Sequence, residues 1–197
     1  DVGYLHRGFE KMCESVTWTN VFPYTDRLNY CSAIMNNIGY ALAVEKLLGI
    51  EATERCQYIR VITNELSRIS DHYTNIAAAA LELGALTAFI YFVEAREILW
   101  DLLEMVCGAR LTSNYIRIGG LMCDIPENFD EELKSRYGKL DSLFDDVDKL
   151  LTKNRIFIDR MQNTGILSQE SAISFGFTGP CLRACGVDYD VRKAHPY

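Results

Sequence analysis

Between Pro23 and Pro126 the chain contains no proline. Proline ends helices because it lacks an N–H and its ring collides with the preceding turn. A long proline-free span rich in Ala, Leu, Glu and Ile therefore predicts long helices. The first is expected over residues 26–48, with Asp26 as its N-cap and Gly49 as a left-handed C-cap. A second is expected from near Glu51 to Leu83, broken at Gly84, and a third over Thr87–Cys107, closed by Gly108. In the second, Ile59, Ile62, Leu66, Ile69 and Tyr73 recur at three- and four-residue steps, which predicts a buried stripe. The Ala77–Ala80 run removes side-chain bulk, so another helix can approach there. Short connections between such helices favour a bundle of long antiparallel helices, a mainly α fold with minor extended segments.

After Gly108 the texture changes. YIRIGG (Tyr115–Gly120) alternates and ends in a glycine pair, which predicts a short strand or extended segment leading into a turn. Pro126 then opens an amphipathic helix over residues 127–153. Leu133, Tyr137, Leu140, Leu143, Phe144, Val147 and Leu150 are expected to face inward. Asp130, Glu131, Glu132, Asp141, Asp145, Asp146 and Asp148 form the other face, which reads as solvated rather than cation-binding. A short helix from Ser168 precedes a Gly/Pro-containing loop. The whole is expected to be a single domain: a long-helix core (1–110), an extended segment (111–125), amphipathic helices (126–162), and a short helix with its loop (163–197).

Composition narrows the class. With 49% hydrophobic and 24% charged residues the chain is an ordinary globular sequence, and a net charge of −7 argues against a nucleic-acid partner. The longest apolar run, Leu83–Val93, is about half of the roughly 20 residues a membrane helix needs. The sequence begins at Asp1 and ends at Tyr197, and it reads as an internal fragment of a longer protein. Seven cysteines, odd in number and scattered, predict a reducing compartment rather than a disulfide framework. Cys181 and Cys185, the one close pair, read as small buried thiols, and no metal site is expected. His6, His72 and His195 lie far apart, and no glycine-rich phosphate cradle is present. Gly8, after His6 and Arg7, would let the backbone approach a partner closely.

Two strings carry the candidate chemistry: LHRGFEK (residues 5–11) and PYTDRLNYCSAIMNNIGYALAVEKLLG (residues 23–49). Arg27 and Tyr30, three apart at a helix start, suit an anionic or quinoid partner, although such pairs also serve plain surface packing. Further blocks follow in order: IRVITNELSRISDH (59–72), LELGALTAFIYFVEAREILWDLLEMVCGARL (81–111), NYIRIGG (114–120) and FTGPCLRACGVDYDVRKAHPY (177–197). Together these blocks resemble the 49-kDa or D-type subunit of respiratory complex I, NADH:quinone oxidoreductase. That family is itself similar to the large subunit of nickel–iron hydrogenases.

The resemblance implies a hydrogenase large-subunit-like fold and a role in quinone reduction coupled to proton translocation. It makes Tyr30 the residue whose hydroxyl hydrogen-bonds a quinone carbonyl. A phenol, with an ordinary pKa of about 10, is a neutral donor that can lend a proton as the quinone gains charge. Arg27 matches an arginine beside the terminal iron–sulfur cluster, where a fixed positive charge favours the reduced state. Arg7 is placed in the same region. Glu82 takes the position of an acid, commonly Asp, that pairs with a histidine lying upstream of Asp1 in the family. The ubiquinone or menaquinone head group is substrate. NAD and the iron–sulfur clusters are implied to reside on partner subunits, none on this chain.

The implied partners are the small iron–sulfur subunit, the other peripheral-arm subunits and a membrane-arm subunit at the quinone entrance. The implied location is peripheral, on the cytoplasmic face of the bacterial inner membrane. Departures from the family pattern are Asn29 in place of Asp, Glu82 in place of Asp, and Thr112 where many members carry a cluster-proximal histidine. Thr112 does not titrate near neutrality, which implies a weaker pH dependence of the cluster's potential. In the hydrogenases, the first pair of nickel-binding cysteines aligns with Asn29 and Ser32, and neither replaces a soft thiolate. The alternatives are a subunit of a hydrogenase-related membrane complex and a purely structural assembly subunit. The fragment alone is expected to be inert.

Overall fold

The backbone of α4 (Glu54–Glu82) and α5 (Leu86–Cys107) is a helical hairpin turned by residues 83–85. The computed structural model describes residues 2–195. Thr53 caps α4 by accepting from Cys56 N, and the helix stops where Gly84 adopts φ 85°. Gly108, at φ 76°, ends α5 as expected. Near the turn, Ala77 and Ala80 of α4 pack with Ala88 and Phe92 of α5 and with Val147 from the end of α6 (Phe129–Leu151). Farther along, Ile59 and Leu66 meet Leu99, Leu102, Leu103 and Val106 in the main core. The three helices therefore run antiparallel in sequence, and the fold is mainly α with a single two-stranded hairpin among the described residues.

The inner face of α4 is not the one the apolar spacing predicts. Ile59 and Leu66 are buried, but Ile62 and Ile69 are each 38% exposed. Arg60, Thr63, Asn64, Ser67 and Ser70 are buried instead. Several have partners that make this possible: the Thr63 hydroxyl donates to Ile59 O at 2.9 Å, and Arg60 is engaged with Glu45. In α6, Leu140 and Val147 are buried as expected, whereas Tyr137, Phe144 and Leu150 are exposed. The main neighbour of α6 is α5, so it needs only a narrow seam at heptad spacing rather than a broad apolar face.

The helix expected from Asp26 starts later. The chain instead forms α1 (Phe9–Cys13), a 3-10 turn at Trp18–Val21, α2 (Phe22–Thr25), a second 3-10 turn at Tyr30–Ser32, and only then α3 (Ala33–Leu48). Asp26 closes α2 rather than capping α3: its N–H donates to Phe22 O at 3.1 Å. Its carboxylate is fully buried, and neither oxygen has a hydrogen-bond partner. The neighbouring Asn37 amide, also fully buried, donates to Thr25 Oγ1 at 2.8 Å, and its own Oδ1 is likewise unpartnered. Burial pushes the Asp26 carboxyl up to about 6, against smaller downward pulls from Asn37, the Asn114 backbone and the Arg27 and Arg117 charges. At its far end α3 stops at Gly49, with φ 66°.

α3, α4 and the hairpin are joined by one buried ion pair. Arg60 Nη1 and Nη2 donate to the two carboxylate oxygens of Glu45 at 3.0 and 2.6 Å. Arg60 Nη2 also donates to Arg117 O and Gly120 O, at 2.9 and 3.2 Å, and Gly119 N donates back to Glu45 at 2.7 Å. Those backbone groups belong to the hairpin of β1 (Ile116–Arg117) and β2 (Gly120–Leu121), paired antiparallel; YIRIGG predicts the first strand and its turn, not the returning strand. Gly119 sits at φ 72°, and a Cβ there would lie 3.1 Å from Ile50. Burial raises the Glu45 carboxyl, but the Arg60 and Gly119 hydrogen bonds and the Arg60 charge outweigh it and hold it below the usual range.

Residues after Leu151 form a second compact unit. It contains α7 (Arg155–Met161), α8 (Gln169–Ser174), α9 (Gly179–Ala184) and α10 (Val191–Ala194). Ser168 caps α8 by accepting from Ser171 N, as its position predicts. Contrary to the expectation of buried thiols, Cys181 is exposed and Cys185 only half-buried, because α9 is short and buries Leu182 alone. The final two residues of the Phe177–Tyr197 block, and Asp1, lie outside the described residues. Among the described residues no helix is long and apolar enough to cross a membrane.

Two stability measurements check this packing. Glu45→Gln leaves the Arg60 charge buried without its counterion, so unfolding in urea should be easier by about 3–5 kcal/mol. For Asp26 the folded state holds its proton more tightly than the unfolded chain. Its contribution is therefore greatest below the ordinary value of 3.8 and declines as pH rises through about 6. Asp26→Asn should remove that decline, gaining on the order of 3 kcal/mol relative to the parent between pH 4 and pH 7.

Candidate functional site

The bend at residues 26–32 is built from side chain–backbone bonds. Arg27 Nη1 donates to Pro23 O at 2.6 Å, and Asn36 Nδ2 reaches back to Asn29 O at 2.9 Å. Asn29 itself is extended, with φ −114° and ψ 92°, so the Tyr30–Ser32 turn starts afresh after it. Asn29 Nδ2 donates to Ser32 Oγ and to Asp71 Oδ2, both at 2.9 Å, and Ser32 Oγ lies 3.3 Å from the same Asp71 oxygen. An amide, a hydroxyl and a carboxylate thus close on one another. Those three are hard donors, a poor set for nickel, and the thiol beside them is that of Cys31, which burial and the Asp71 charge push up. Among the described residues no group of His, Cys, Asp and Glu is placed to hold a metal ion.

Tyr30 projects from this turn with 58% of its surface exposed. It lies at a narrow cleft with Cys31, Ile34, Ser67, Trp100 and the loop Ala109–Ser113. The cleft encloses about 10 Å³, room for roughly one water. A quinone head group does not fit within this chain alone. The loop wall is backbone-constrained: Thr112 and, just beyond it, Asn114 have φ of 50° and 44°, left-handed values uncommon for residues other than glycine. Thr112 therefore shares a cleft with Tyr30.

Arg7 and Arg27 are brought together. With Phe9, Met12, Tyr24 and Leu28 they line an apolar concavity of about 220 Å³. Arg7 Nη2 donates to Leu28 O at 3.2 Å, so backbone carbonyls orient both guanidinium groups. Among the described residues neither forms an ion pair. Gly8 has φ 65°, and its N–H donates to His6 Nδ1 at 2.9 Å, which explains the glycine locally. His72 is exposed.

Glu82 is not part of this constellation. It is exposed at the last position of α4, about 16 Å of helix from Asp71 at 1.5 Å per residue. Sequence reasoning missed Asp71, the acid that does reach the Tyr30 turn. The available signal was polar periodicity: Thr63, Ser67 and Ser70 recur on one side of α4 and lead toward Asp71.

Comparison with known proteins places the chain. Residues 82–197 match the family model described as respiratory-chain NADH dehydrogenase, 49 Kd subunit. Over its full length the chain is 60% identical to a D-type subunit of NADH-quinone oxidoreductase from Anaeromyxobacter sp. (strain K), covering 46% of that protein. It is 52% identical to the corresponding NADH-quinone oxidoreductase subunit of Myxococcus xanthus (strain DK1622), covering 48%. With the Geobacter sulfurreducens counterpart it shares 48% identity, covering 50%. The chain spans about half the length of the curated relatives it matches. It belongs to the 49-kDa subunit family of respiratory-chain NADH dehydrogenase.

Proposed function

We propose that this chain supplies one wall of a quinone-reduction site in a bacterial complex I, with Tyr30 as the residue that meets the quinone. The observation that carries the reading is the exposed Tyr30 on a turn whose neighbouring Asn29 and Ser32 are bound to Asp71. The Tyr30 hydroxyl donates a hydrogen bond to a quinone carbonyl and lends its proton as negative charge develops there. Because the cleft in this chain holds only about one water, the rest of the chamber comes from elsewhere. The small iron–sulfur subunit is the proposed opposite wall.

Arg7 and Arg27 face that same partner. Unpaired with carboxylates among the described residues and steadied by backbone carbonyls, they offer a fixed positive charge to a reduced cluster held by the partner's own ligands. Glu82 would act at a more distant point, with the histidine that the family carries upstream. Other peripheral-arm subunits, NAD and the clusters on them, a membrane-arm subunit at the quinone entrance and coupling to proton translocation belong to the same proposal. So do a hydrogenase-like ancestry of the fold, a peripheral position at the cytoplasmic face of the inner membrane, and inactivity of the chain by itself.

The hydrogenase-related alternative is disfavoured by the hard donor set at Asn29, Ser32 and Asp71. A purely structural subunit is separated from the proposal by one variant. In the assembled complex, Tyr30→Phe should lower NADH-driven quinone reduction by about 10²-fold, the usual contribution of a positioned proton donor. NADH oxidation by an artificial acceptor upstream should be unchanged. An assembled variant with the parent's quinone reductase rate would establish the structural role instead.

A further inference from the structure

Three of the seven cysteines gather around one buried ring. The Tyr115 phenol is pushed up above its ordinary range by burial first, and then by Cys123, Asp124, Cys107 and Cys56 beside it. Its hydroxyl donates to Cys123 O at 2.8 Å and so fixes the backbone of that residue. Cys107, the last residue of α5, is 7% exposed, and its thiol donates to Leu103 O and Ala109 O at 3.0 and 3.1 Å. The Cys123 thiol donates to Val106 O at 3.2 Å. Val106 O belongs to the peptide bond that enters Cys107, so both sulfurs are held on the same terminal turn of one helix. Cys56 lies on α4, beside the Arg60–Glu45 pair.

We propose that Cys107 and Cys123 form an oxidisable dithiol, which a hydroperoxide converts to an intrachain disulfide pinning the segment after β2 to the end of α5. Cys123 is exposed and meets the oxidant first. Its thiolate attacks one peroxide oxygen and the O–O bond breaks, giving a sulfenic acid at Cys123 and hydroxide. The Cys107 sulfur then attacks the Cys123 sulfur, the S–O bond breaks, and the leaving hydroxyl takes up the Cys107 proton as water. In sum two thiols and one hydrogen peroxide give one disulfide and two waters. Cys107 does not react first, because burial leads a net upward push on its thiol, assisted by Cys123 and Asp26, that keeps it protonated. The bond would close a covalent loop over residues 108–122, which contains the Ala109–Ser113 wall of the Tyr30 cleft.

The test oxidises the assembled complex that contains this chain with hydrogen peroxide, blocks remaining thiols and maps this chain's peptides without reduction. The expected result is a peptide pair joined through Cys107 and Cys123, loss of two free thiols, and recovery of both with a dithiol reductant. Cys107→Ser should leave Cys123 as a sulfenic acid that dimedone captures, with no intrachain bond. A bond from Cys123 to Cys56, or a Cys107 that stays free while Cys123 is consumed, would overturn the assignment. So would an oxidised chain that retains all its thiols. The parent chain alone decides among these outcomes, whatever the variant's stability.

Discussion

Burying a guanidinium and a carboxylate together costs several kcal/mol per ion before their attraction is counted, and it is tolerated only when nearly every donor and acceptor is used. The Arg60–Glu45 pair approaches that condition by recruiting the hairpin: Arg117 O, Gly120 O and Gly119 N join its shell, while Arg60 Nε is left without a hydrogen-bond partner. Three separate pieces of chain are thereby held in one register. Gly119 can serve because its left-handed backbone brings its N–H to Glu45 while leaving space for Ile50. The requirement also sets the rotation of α4. Once Arg60 points inward, Thr63, Asn64, Ser67 and Ser70 follow it at helical spacing, and Ile62 and Ile69 are carried to the outside.

That rotation explains which parts of the structure were legible in the sequence. Helix ends marked by glycine were readable because Gly49, Gly84 and Gly108 each adopt a conformation that other residues resist. YIRIGG was readable because alternation followed by two glycines has few other uses. The inner face of α4 was not, since hydrophobic periodicity assumes that apolar groups take the core, and here a charge pair commands it. The start of α3 was misread for a related reason. Asp26 has the chemistry of a cap, but its carboxylate is buried against Asn37 instead.

The candidate site was legible unevenly. Arg7, Arg27 and Tyr30 came from the family resemblance, and the structure brings the two arginines to one concavity and sets Tyr30 at a cleft. Asp71 carries no local signature, because its partners Asn29 and Ser32 are remote in sequence and only folding brings them together. The outcome is a turn in which an amide, a hydroxyl and a carboxylate close on one another, with the Cys31 thiol beside them. A chain with such surroundings can present a hydrogen-bond donor to an oxidised organic carrier.

The outward side of α4 has a bearing on solution behaviour. Tyr58, Ile62, Ile69 and Ile76 are all exposed and line up along one narrow flank of the rod at 3.6 residues per turn. A strip of that kind is wetted at a steady free-energy cost, and lyotropic anions such as sulfate raise the cost by strengthening the exclusion of apolar surface from water. Raising sulfate therefore raises the free energy of leaving this strip wet, a burden it shares with other exposed apolar side chains such as Leu47 and Phe175.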